Sequence, residues 1–267
     1  MMQWTRSAVF VCLVALAMIS CGPSGSSEME LAQEAEWISL QEAKQALDEQ
    51  RQKLTELRQQ VAEAPEEAEG EEGAEGEVES EPAPTAEDVE LLENELAATA
   101  EDFGGRLVTF LNNDPMIQGE PPSERQLAAL HMKSDEDIAL AQEWIDKGGD
   151  YKRAIDIYNN ALRFDPGNEA VEQALAEAEE NRYMSKERFE AAKKGMGEAE
   201  VRAALGQVNL HNVKPFPDRK VIAWFYPTAD DGSAAAVWFR EEKDGNNKVY
   251  RLNFEEVKST AEQRKAS

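Results

Sequence analysis

The sequence predicts a mainly α-helical chain, a helical stalk plus repeat-like helices, followed by a small α+β domain with a three-stranded antiparallel sheet. Three observations predict it. Leu40, Leu47 and Leu54 recur at heptad spacing. Apolar residues between Tyr151 and Leu162 keep the 3.6-residue period of a helix. The last part of the chain holds three runs rich in aromatic and β-branched residues, separated by Asp/Asn/Gly turns.

The N-terminus reads as an export signal. Arg6 is the only charge in the first twenty residues, and Ala8–Ile19 is apolar throughout. This run is about a dozen residues, and a membrane-spanning helix needs about 20. Met18-Ile19-Ser20-Cys21, followed by the polar run Gly22–Ser27, resembles the bacterial lipobox, with Met18 where Leu is usual. The alternative is an ordinary signal peptide with a chance cysteine. The resemblance implies a signal over 1–20, cleavage before Cys21, acyl chains on Cys21 and a tether over 21–27. Two or more acyl chains hold a protein stably on a bilayer. Gly22 in place of Asp points to the outer membrane, facing the periplasm. Cys12 leaves with the signal, so the exported chain keeps one cysteine and forms no internal disulfide.

Charge is unevenly spread. The net charge is -26, but Gly22–Asn181 carries 41 acidic and 11 basic residues, whereas Arg182–Ser267 carries 13 and 16. So acidic a body repels nucleic acid and anionic lipid. No nucleic-acid partner is therefore expected, and membrane contact is expected only through acylated Cys21.

Residues 28–63 are expected to form a helical or coiled-coil stalk. Val61 extends the heptad series, Ala43, Leu57 and Ala64 fill d-type positions, and Gln50 is the polar exception. The same pattern suits one helix packed on its own chain or a seam between chains, and the second reading makes a homo-oligomer through 28–63. Residues 64–85 are a Pro- and Gly-punctuated acidic linker, and no Lys or Arg lies between Arg58 and Arg106. Residues 86–133 resume helical spacing with Val89, Leu92 and Leu96. The apolar cluster from Phe103 to Leu111 follows, beside Gly104-Gly105, and a short helix is expected from Ser123 to about His131.

From Ser134 to Arg182 three helices are expected. Ser134 with Asp137 has the spacing of a capping box, Gly148-Gly149-Asp150 breaks the first helix, and Asp165-Pro166-Gly167-Asn168 ends the second. Gly149-Asp150-Tyr151, Ala154-Ile155, Tyr158, Ala161-Leu162 and Asp165–Asn168 resemble one tetratricopeptide repeat, with Ile138, Gln142 and Ile145 departing from its first-helix pattern. Such repeats stand in arrays of about three, so this unit is expected to borrow packing from 86–131 or from the C-terminal domain. The resemblance implies protein binding, with Tyr151 and Tyr158 as candidate contacts.

The C-terminal domain, 183–267, is expected to hold two short helices, from Ser185 and from Glu198 to Leu205. Strands are expected over 220–226, 234–240 and 248–254. Gly195-Met196-Gly197, Ala204-Leu205-Gly206, Trp224-Phe225-Tyr226 and Val237-Trp238-Phe239 resemble the SmpA/OmlA (BamE-like) small outer-membrane lipoproteins over about 186–255. Val208 stands where that family usually has Pro, so the path from Asn209 to Pro217 is left open. The resemblance implies a partner-docking domain without catalysis. Because alternate strand residues point to opposite faces, Trp224 and Tyr226 cannot share a face with Phe225. One set should meet a helix and the other a partner or solvent, which makes Trp224, Phe225, Tyr226 and Trp238 the candidate contacts.

No catalytic residues, metal site or cofactor are expected. His131 and His211 are the only histidines, neither lies near a cysteine, and phosphate-loop and serine-hydrolase motifs are missing. Asp230, Asp231 and Asp244 suit hairpin turns better than a calcium site. The expected function is a membrane-anchored, non-enzymatic adaptor binding envelope proteins. The alternative is an oligomeric structural coordinator of the periplasm.

Overall fold

The computed structural model describes residues 24–63, 83–117 and 120–259, with side chains from Glu28 onward. The proposed signal, Cys21 and most of the acidic linker lie outside the described residues. Among the described residues, seven α-helices and one four-stranded sheet follow in order: α1 (Ser24–Glu63), α2 (Ala86–Asn113), α3 (Glu124–Gly148), α4 (Tyr151–Phe164), α5 (Glu169–Asn181), α6 (Lys186–Phe189), α7 (Glu198–Leu205), β1 (Val213–Phe216), β2 (Val221–Pro227), β3 (Ala234–Glu241) and β4 (Asn247–Val257).

The heptad leucines of α1 turn inward on their own chain. Leu40 and Leu47 are fully buried with Phe103, Leu107 and Phe110 of α2 and Ala129 of α3, and Trp37 meets Phe110 at 5.5 Å between ring centroids. Gln50, the polar break in the heptads, carries a buried Oε1 with no partner among the described residues. A charged clasp joins α1 to α3: Arg51 donates to both carboxylate oxygens of the buried Glu136, at 2.9 and 2.6 Å. That bidentate grip raises the pKa of the Arg51 guanidinium.

Three local expectations are corrected. Helix α1 begins at Ser24, so Ser24–Ser27 belong to the helix rather than to a tether. Helix α2 runs straight through Gly104-Gly105, because Phe103, Leu107 and Phe110 form one buried stripe whose packing outweighs the low helix propensity of glycine. A Cβ at Gly105 would meet nothing within 4 Å. Gly105→Ala is therefore expected to raise stability by about 0.5–1 kcal/mol, measured by chemical denaturation.

The second correction concerns the start of α3. Its capping box is Ser123 with Gln126, and Ser134 lies buried in mid-helix, so the expected boundary at 133/134 falls inside a continuous helix. The buried Ser134 hydroxyl donates to Asp165 at 2.9 Å, and Asn168 Nδ2 donates to the same carboxylate at 2.6 Å. The Asp-Pro-Gly-Asn turn is thus tied down onto α3. This long helix serves two cores. Its first half packs with α1 and α2, and its second half, through Ala141, packs with Ala154, Ile155, Tyr158 and Ala161 of α4 and Val171 and Ala178 of α5. Helix α3 is thus shared between the two helical cores.

The third correction is the strand count. The sheet is an antiparallel meander in the order β1-β2-β3-β4, and its extra strand, β1, pairs Val213 with Trp224 and Phe216 with Val221. Pro215 cannot donate to a ladder, which hides β1 in the sequence and confines it to the sheet edge. Helices α6 and α7 cover one face. Phe189, Val201 and Leu205 pack there on Trp224, Tyr226, Val237, Phe239 and Val249.

Candidate interaction surface

Sheet register divides the aromatic residues cleanly. Trp224, opposite Val237, points into the core, and its ring lies 4.5 Å from Phe239 with the Arg202 guanidinium 4.8 Å away on its ring. Tyr226 shares that face and its hydroxyl donates to the Gly206 carbonyl at 3.3 Å. Burial drives the Tyr226 pKa far above its ordinary value.

Trp224, Tyr226 and Tyr158 were candidate partner contacts, and that role is corrected. They are 2%, 5% and 1% exposed, so a partner could reach them only by opening the fold. Tyr151 is half-buried in a cleft between the helical unit and the C-terminal domain.

The outer sheet face holds the other set. Phe225 stands opposite Ala236, Trp238 opposite Ala223 on one side and Arg251 on the other, and Phe216 and Lys214 of β1 complete the face. Phe216 stacks on Trp238 with centroids 5.5 Å apart, and Phe225 meets the same indole edge-on at 6.2 Å. The small floor residues Ala223 and Ala236 are fully buried beneath this cluster, whereas Phe216, Phe225 and Trp238 are only partly buried. Trp238 Nε1 is buried with no acceptor among the described residues, and an unpaired buried donor costs about 1–3 kcal/mol.

Cations frame the cluster. Arg251 lies 5.4 Å from the Trp238 ring and pairs with Glu256 at 2.6 Å, Arg240 lies over Tyr250 at 4.2 Å, and Lys214 is exposed. Residue types gave Phe225 and Trp238. Phe216, Lys214 and Arg251 were missed, because only the register of β1 and β4 brings them to this face.

The chain matches no family model, no curated protein and no solved structure. No group of three or more His, Cys, Asp or Glu among the described residues could hold a metal ion. Ser134, His131 and Asp165 stand together as a fastening. The serine hydroxyl is buried and spends its proton on the carboxylate, while His131 Nε2 lies 3.6 Å from that same carboxylate. No described helix is long and apolar enough to cross a membrane.

Proposed function

We propose that the chain is a non-enzymatic adaptor of the bacterial envelope, acylated at Cys21 and held on the outer membrane, whose C-terminal sheet docks a protein partner. The carrying observation is the outer sheet face, where partly buried Phe216, Phe225 and Trp238 sit together opposite the helix-covered side. Aromatic residues with an arginine are the side chains that dominate protein interfaces. The cations around them, in a chain of net charge -26, suit a partner segment that offers apolar side chains flanked by carboxylates. The lipobox resemblance supplies the membrane part, and the repeat-like helices α3–α5 carry the docking domain on a rigid shared helix.

Photocrosslinking in intact cells tests the docking. A photoreactive side chain at Phe225 or Trp238 is expected to capture a discrete partner, and one at buried Trp224 is not. Capture should be lost when Trp238→Ala is introduced beside the Phe225 probe. Equal capture from all three positions, or none from Phe225 and Trp238, removes the docking reading. Intact-mass analysis tests the anchor separately: a mature start at Cys21 with acyl chains is expected, and a free thiol there refutes it.

A further inference from the structure

A second feature lies where the α3–α4 turn meets the C-terminal domain. A cleft of about 330 Å³ opens between Tyr151, the end of α5 at Asn181, the Arg188 side chain and the buried Tyr226. Arg188 is the unusual member. Among the described residues Arg51, Arg58, Arg106, Arg125, Arg202 and Arg251 each pair with a carboxylate, and Arg153, Arg182 and Arg240 each lie over an aromatic ring. Half-buried Arg188 does neither, and Arg163 and Arg219, which also do neither, are both exposed.

Its guanidinium is nonetheless held in place. Nη1 donates to Asn181 Oδ1 at 2.7 Å, Nη2 to the Asn181 carbonyl at 3.1 Å, and Nε approaches Met184 Sδ at 3.4 Å. A guanidinium has five N–H donors, so two stay unengaged on a fixed cation. Tyr151 lines the same cleft, its hydroxyl has no hydrogen-bond partner among the described residues, and a Cβ on Gly206 would lie 3.7 Å from it. Burial raises the Tyr151 pKa while the Arg188 charge lowers it, so the group stays a neutral donor within reach of that cation's field. Two carboxylates also line the cleft. Asp150 is engaged in capping α4, accepting from Arg153 N at 3.1 Å, and Asp230 is exposed at the rim.

We infer that this cleft binds a small oxyanion, a carboxylate or a phosphate, through the free N–H groups of Arg188 and the hydroxyl of Tyr151. The chemistry is that of charge-assisted hydrogen bonds from a preoriented planar donor, which are stronger than neutral ones. The oxyanion could be the carboxylate of a peptide chain end or free inorganic phosphate, and the cleft has room for one or two residues of the former.

Calorimetric titration of the full chain in detergent separates these sources. The probes are inorganic phosphate, acetyl-Ala-Ala as the free acid, and the same dipeptide as its amide. Saturable binding of phosphate or of the free acid is expected at about millimolar affinity or better, with no binding of the amide. Free acid alone identifies a peptide end, and phosphate alone identifies the free ion. Tyr151→Phe and Arg188→Gln should each weaken binding, the latter by about tenfold or more, with Arg188→Lys recovering part of the loss. Arg188 also anchors the end of α5, so Tyr151→Phe serves where Arg188→Gln fails to fold. No saturable binding of either oxyanion, equal binding of the amide, or affinity unchanged in Tyr151→Phe and Arg188→Gln overturns the inference.

Discussion

Gly149→Ala is expected to cost about 3 kcal/mol or more and to loosen the C-terminal domain from the helical unit. Gly149 closes α3 in the left-handed region, at φ +61°, where its N–H reaches the Ile145 carbonyl at 2.9 Å. A left-handed backbone alone costs an alanine about 1–2 kcal/mol. Steric exclusion costs more. A Cβ there would lie 2.6 Å from Asn209 N, from Gln207 O and from Val208 C, three backbone atoms of the segment after α7. None of them can rotate away, so the two units must part. Gly167→Ala is the control. Its φ is +84° and a Cβ would meet nothing within 4 Å, so only the left-handed backbone penalty remains. Calorimetric melting should show a far larger drop in Tm for Gly149→Ala than for Gly167→Ala, with the transition split in two. Equal drops would mean that the 207–209 segment does not cross Gly149.

The same glycine shows how far the residues could be read unaided. Gly148-Gly149-Asp150 was legible as a helix stop, because αL glycine and an Asp cap are local chemistry. Its second duty, letting another backbone pass, was not, because the passing segment lies some sixty residues on. Periodicity located α1, α4, α5 and α7 and the three long strands, since each buries one face. It failed where tertiary packing overrode local signals: at Ser134, which looked like a cap but serves as a buried donor, and at Pro215, which disguised β1. The candidate surface was half legible. Strand alternation required Phe225 and Trp224 to part company, but which of them faced the helices depended on α6 and α7. Phe216 and Arg251 joined Trp238 only through register.

Leu47→Ala is expected to destabilise the helical unit by about 2–5 kcal/mol, by an amount independent of protein concentration. Leu47 is wholly buried with Leu40 among Phe103, Leu107 and Phe110 of the same chain, so truncation leaves a cavity that rigid aromatic neighbours cannot readily fill. A heptad seam shared between chains would respond differently, since the stability of an assembly rises with protomer concentration. Denaturation midpoints of the parent chain and of Leu47→Ala, each at two concentrations a hundredfold apart, separate the cases. A midpoint that climbs with concentration in the parent chain would favour the oligomeric coordinator. For that assembly to form through residues 28–63, Leu40 and Leu47 would first have to leave α2. The Arg51–Glu136 clasp would have to part as well, and a buried carboxylate stripped of its partner is costly. These leucines thus brace α1 against α2 and α3 of its own chain.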